Sequence, residues 1–263
     1  MSDLVRPAAV AGRFYRGNEQ RLRSQVDDLL GSVRIDADEP LAAAYVVPHA
    51  GLIFSGQVAA EVYARLRHHR SQIDRVVLLG PSHFVPLQGM ATSPHQQWQT
   101  PLGDQRVAEA SGPVAPFAPA HEEPHAREHS LEVQVPFIQR ALGDVEILPI
   151  AVGVSEEPPG WAVAAELAAT PGSVVLCSTD LSHFHDAVSA ESRDEQTVAA
   201  MSDCAWKKVG SADACGVFAL RAVLAWGAAI SARTRLYART HSGVMSGDNS
   251  RVVGYAAMGL FAT

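Results

Sequence analysis

Three apolar runs in this chain each deliver a histidine at their carboxyl end, and no other feature restricts the fold as strongly. Ala44-Tyr45-Val46-Val47 leads into Pro48-His49, Arg75-Val76-Val77-Leu78-Leu79 into Gly80-Pro81-Ser82-His83, and Ser173-Val174-Val175-Leu176-Cys177 into Ser178-Thr179-Asp180-Leu181-Ser182-His183. Continuous Val/Leu runs are the pattern of buried parallel strands, which are covered by helices on both faces. Open sheets of that kind place ligands beyond the carboxyl ends of their strands. Imidazole is the commonest metal ligand and titrates near neutral pH. Three histidines distant in sequence are therefore expected to meet in one pocket, as metal ligands or as proton carriers. Loop capping is the plainer reading of any one of them.

The segments between the runs alternate accordingly. Asn18 to Leu30 has the helical stripe Leu22, Val26, Leu29 and Leu30, with Asn18 as cap and Gly31 as terminator. Ser55 is expected to cap a helix through Leu66. Residues 84–128 form a long connection rich in Pro, Gly, Gln and His, of the kind that carries small extra strands or function. From Ser130 a helical stripe runs through Leu131, Val135 and Ile138, and Pro136 inside it predicts a kink or a late start. A strand over 145–152, helices over 161–169, 188–203 and 213–227, and strands near 232–238 and 251–260 complete the pattern. The expectation is α/β: one three-layer α/β/α domain over 1–263 with a mainly parallel, mixed sheet.

Composition excludes several classes. With 21 Lys and Arg against 28 Asp and Glu the formal charge is −7, and no long basic stretch occurs, so nucleic acid is not an expected partner. Arg65, Arg67 and Arg70, and Arg233, Arg235 and Arg239, read as solvated faces. Three cysteines, at 177, 204 and 215, make neither a disulfide framework nor a CxxC pair and suit a reducing cytosol. No segment reads as a signal peptide or bilayer span, so the expected setting is cytoplasmic, away from membranes.

Some motifs fail on physical grounds. His121-Glu122-Glu123-Pro124-His125 matches the zinc-protease HExxH letter for letter, but that motif needs a continuous helix and Pro124 interrupts it. One of His125 and His129 is still expected to reach the pocket. GxSxG, GxGxxG and Walker A sequences do not occur, which removes the hydrolase, dinucleotide and P-loop readings. Cys215 sits at an expected helix N-terminus, where the dipole would depress a thiol pKa; the alternative is a small core residue. Asp180, three residues before His183, is placed to orient that imidazole or to make an Asx turn. Glu128, His129 and Glu132 form another polar cluster.

Taken in order, these segments resemble the Memo family, known in microbes as AmmeMemoRadiSam system protein B. The resemblance runs from Pro7-Ala8-Ala9-Val10-Ala11-Gly12-Arg13-Phe14-Tyr15 through Pro48-His49-Ala50-Gly51, Leu79-Gly80-Pro81-Ser82-His83, Glu128-His129-Ser130-Leu131-Glu132 and Ser178 to His183. Cys215-Gly216 and Val252-Val253-Gly254-Tyr255-Ala256-Ala257 continue it to the end. It implies a fold similar to the class III extradiol dioxygenases, which hold non-haem Fe(II) with two histidines and a carboxylate. Carried over, the metal ligands would be His49, His83 and Cys215, with His183 as acid/base, Asp180 beside it, and His129 and Glu132 lining the cavity. A thiolate in place of the carboxylate favours Cu or Zn more than the dioxygenase site does, and Fe(II) remains the first expectation.

The function so implied is an oxygen-dependent or redox step on a small organic substrate. The alternatives are a non-catalytic metal-binding or interaction protein in a modification or signalling pathway, and a zinc hydrolase on the same ligands. The family association also implies an AMMECR1-like protein and a radical SAM protein as partners. After Cys215-Gly216 this chain has Val217-Phe218-Ala219-Leu220, more apolar than the family's usual continuation.

Overall fold

The computed structural model describes residues 5–110, 114–155, 157–159, 162–163 and 170–262. The eight-stranded sheet is built around four parallel strands: β2 (Ala44–Val47), β3 (Arg75–Pro81), β7 (Glu146–Val152) and β8 (Ser173–Ser178), in the order β2-β8-β3-β7. Antiparallel strands flank them. β4 (Met90–Thr92) pairs with β7, β11 (Val252–Phe261) with β2, and β10 (Arg233–His241) forms the far edge on β11. β9 (His183–His185) is a short addition to β11. The long connection after His83 supplies β4, β5 (Gln97–Thr100) and β6 (Gly103–Arg106). The last two form a small sheet with β1 (Val5–Arg6).

Each parallel strand is buried on both faces, which is why its sequence is a continuous apolar run rather than an alternation. Val76 and Leu78 of β3 point into one core with helices Glu19–Ser32, Leu52–His68 and Val135–Ala141. Val77 and Leu79 point into the other, with helices Ala187–Ser202 and Val217–Ala229. The α/β architecture and mixed sheet are those expected. Most of the helix expected over 161–169 lies outside the described residues. No helix among the described residues is long and apolar enough to cross a membrane.

Several local readings hold and others do not. The Asn18 side chain accepts from the Arg21 N–H at 3.1 Å, an N-cap as expected. The helix runs past Gly31 to Ser32, so Gly31 does not terminate it. Ser55 is not a cap. The helix begins at Leu52, and the buried Ser55 hydroxyl donates back to the Ala50 carbonyl at 2.8 Å. Pro136 marks a late start: a 3-10 turn, Glu132–Gln134, precedes helix Val135–Ala141, where proline's missing N–H costs nothing. Arg65 is no solvated face, since it is buried and pairs with Glu39 at 2.7 Å.

Candidate metal centre

The carboxyl ends of β2, β3 and β8 converge, and the residues just beyond them build the site. One ligand nitrogen each from His49, His83 and His129 lies within 4.8 Å of the other two. His49 and His83 arrive from strand ends as the sequence indicated. His129 arrives from the loop ahead of the 3-10 turn, and its ring lies 4.6 Å from that of His83 and 5.4 Å from that of His49. The Cys215 sulfur adjoins this triple, 3.2 Å from His49 Nε2.

Hydrogen bonding fixes which nitrogens face the centre. The Ser178 hydroxyl donates its one proton to the Ser130 carbonyl at 2.6 Å, so it can only accept from its other neighbours. It accepts from Gln134 Nε2 at 2.8 Å and from His49 Nδ1 at 2.9 Å. His49 therefore carries its proton on Nδ1 and presents an Nε2 lone pair to the centre, where the Cys215 thiol now donates to it. Gln134 is oriented in turn, its Oε1 accepting from Tyr63 and its Nε2 donating to the Pro48 carbonyl.

His83 is set by Glu128. One carboxylate oxygen accepts from His83 Nδ1 at 2.9 Å and from the N–H groups of His129 and Ser130; the other accepts the His83 N–H at 2.6 Å. Burial pushes the Glu128 carboxyl up, but the His83 hydrogen bond and the backbone donors outweigh it and hold the pKa at about 2. An ionised Glu128 can only accept, so His83 also keeps its proton on Nδ1 and turns Nε2 to the centre. Burial lowers His129 to about 4, and it takes His49 well below the ordinary histidine value. Both rings are thus neutral at pH 7, the form that binds metal.

This donor set fits a divalent transition ion. The His49 and His129 rings are uncharged, His49 and His83 are held in orientation by outer hydrogen bonds, and buried His129 Nδ1 makes no well-formed hydrogen bond although Glu128 Oε1 lies 3.3 Å away. Because losing an outer partner of a ligating histidine typically costs about 10–100-fold in metal affinity, Glu128→Gln should weaken Co(II) binding by that factor, read by isothermal titration calorimetry. An unchanged affinity would remove Glu128 from the site.

The other expected site residues are placed differently. Asp180 does not orient His183. Its carboxylate accepts from the His49 N–H at 2.7 Å and from that of Ala50, and burial raises its pKa to about 7. His183 instead donates from Nδ1 to the Leu181 carbonyl at 2.8 Å, and its ring lines the cleft. Glu132 turns away from the centre. Its four acceptor positions are filled by Arg6, Tyr15 and the N–H groups of Ala9 and Val10 at 2.7–2.9 Å, which pins the N-terminal segment across the site.

Cys215 precedes helix Val217–Ala229, but the expected depression of its thiol does not appear. Burial, reinforced by Asp180, pushes the pKa up. Gly216 lets this turn approach so closely, since a Cβ there would stand 2.9 Å from the Ser178 carbonyl oxygen. Of the HExxH look-alike, His125 is buried against the Ala91 carbonyl and His121 is exposed, and neither belongs to the triple. Ser178, Gln134 and Glu128 as tautomer setters escaped the sequence reading. The only signal for Glu128 was its place next to His129.

A cleft of about 550 Å³ opens beside the triple, lined by Phe14, Phe54, His183 and Tyr255 together with Arg13, Asp248 and Arg251, and His129 is the member of the triple in its wall.

The profile of the Memo-like protein family matches residues 6–259. A MEMO1 family protein of Methanosarcina acetivorans is 34% identical over 271 residues, covering 97% of this chain and 98% of its own. One from Aquifex aeolicus is 34% identical over 275 residues with the same coverage, and one from Thermoplasma acidophilum 32% identical over 269.

Proposed function

The chain belongs to the Memo-like family, and from that premise we propose that it is a non-haem metal protein acting on a small organic substrate in an oxygen-dependent or related redox step. The observation that carries this reading is the His49/His83/His129 triple, whose nitrogens lie within 4.8 Å and two of whose tautomers are set from outside. His49, His83 and His129 would hold the ion, and Cys215, 3.2 Å from His49 Nε2, would close the fourth side. This set differs from two histidines and Cys215 by the addition of His129. Imidazole suits Fe, Cu and Zn alike; iron is the first choice by resemblance to the ring-cleaving dioxygenases. A bound ion supplies Lewis acidity and, as iron, access to O2 chemistry.

The protein's own groups divide the remaining work. Phe14, Phe54 and Tyr255 give the cleft apolar surface against which the organic part of a substrate would pack. His183 is kept below its ordinary pKa by burial, so it is neutral at pH 7. With Nδ1 committed to Leu181, its Nε2 is the atom that accepts and returns a substrate proton.

Anaerobic Fe(II) loading followed by nitric oxide should give a high-spin EPR signal, and a folded protein that gives none would defeat the iron reading. His183→Ala should leave Fe(II) affinity within about twofold while lowering turnover by 10²–10⁴-fold, the usual range for a lost acid/base. Equal losses of both would make His183 a ligand instead.

A further inference from the structure

Beside the histidine cleft runs a band of arginines that the metal site does not use, in a chain of net charge −7. A second cleft, of about 270 Å³, shares Arg13 and Phe14 with the first and is lined further out by Arg16 and Arg21, with no carboxylate in its wall. Of the acids nearby, Asp28 shares an adjoining cleft of about 540 Å³ with Arg16 and Arg21, and three others are committed. Glu19 pairs with Arg23 at 2.8 Å, Asp27 with Arg140 at 2.8 Å, and Glu132 with Arg6 at 2.7 Å. Among the described residues no carboxylate pairs with Arg13, Arg16 or Arg21. The one hydrogen bond from these three guanidiniums goes to a neutral group, from Arg13 to the Ala9 carbonyl at 2.7 Å. Three like charges gathered along one concave wall are mutually repulsive, and they concentrate anions there.

The position matters as much as the charge. Glu132 anchors the segment that carries Arg13 and Phe14, so the first arginine stands at a fixed point where the two clefts meet. In the first cleft Arg251 is accompanied by Asp248, whose carboxylate is held by the Ser250 N–H at 2.9 Å and hydroxyl at 2.7 Å. The excess positive charge is therefore one-sided, along Arg13, Arg16 and Arg21.

We infer that the substrate is an elongated organic anion, its reacting end at the histidine triple and its carboxylate or phosphate groups along Arg13, Arg16 and Arg21. Guanidinium forks bind either group bidentately. This rests on the proposed function for the reacting end, whereas the arginine trough is tested separately. Calorimetry of the full chain at low ionic strength would use two probes, trimesate (three carboxylates on a ring) and phenyl phosphate. Binding is expected for at least one, and which one binds tells carboxylate from phosphate. Affinity should fall as salt screens the contacts and be at least tenfold weaker in R16E/R21E, with R16Q/R21Q intermediate. Both side chains are exposed and unpaired, so these variants keep the fold. Co(II) uptake by the variants should match the parent protein. If neither probe binds, or R16E/R21E binds as the parent does, the inference is overturned whatever the metal result. If Co(II) uptake fails while anion binding still follows Arg16 and Arg21, the trough stands and the metal reading falls.

Discussion

Glu132→Ala should lower the unfolding free energy by about 3–5 kcal/mol, the range for removing one partner of a buried ion pair. Glu132 has no exposed surface and Arg6 only 1%. The substitution leaves the guanidinium with its two carbonyl partners, His125 and Glu128, but no counter-charge. It also strands the buried Tyr15 hydroxyl and Val10 N–H and the half-buried Ala9 N–H, each of which loses its acceptor. Glu132→Gln should cost less, although its amide would turn donors toward some of the same groups. Urea denaturation of the two variants gives the comparison directly. A loss under about 1 kcal/mol would mean that water satisfies these donors and that the N-terminal segment is not pinned.

His49→Ala is the second large effect, and it falls on metal binding rather than folding. A ligand should cost more than the 10–100-fold typical of its outer partners, so a loss of about 1,000-fold or more in Co(II) affinity is expected. The fold should survive because the supports near His49 do not depend on its ring. Asp180 holds the His49 backbone N–H, and Ser178 keeps its bonds to Ser130 and Gln134. His129→Ala should behave in the same way. If it instead spares affinity while His49→Ala and Cys215→Ala abolish it, the ligand set is two histidines and the thiolate, and His129 only walls the cavity.

The parallel sheet was legible in the sequence because burial on both faces writes itself as an unbroken apolar run, and Val76 to Leu79 alternate cores as that reading requires. The site was legible where it sits at a strand end, as His49 and His83 do. It was less legible where function depends on hydrogen bonds between distant segments. Ser178 meets His49 across 129 positions and Gln134 across 44, and no local spacing signals either contact. Asp180 shows the reverse error, since three residues suggested a partnership with His183 while the carboxylate is spent on the turn after β2. Ser55 looked like a cap from its type alone, and the Pro48-His49-Ala50-Gly51 turn had already started the helix at Leu52. The arginine trough is not legible in local spacing, since Arg13, Arg16 and Arg21 line one cleft only once Glu132 has pinned Ala9, Val10 and Tyr15.

One divalent ion held where the His49, His83 and His129 imidazoles meet is the centre of the proposed function. The most direct measurement is titration of the metal-free full chain with Co(II), followed by its d–d absorption. Saturation is expected at one ion per chain, with loss of the bands in His49→Ala, His83→Ala and His129→Ala and a sulfur-to-cobalt charge-transfer band that disappears in Cys215→Ala. No saturable uptake, or uptake unchanged in the three histidine variants, would contradict it.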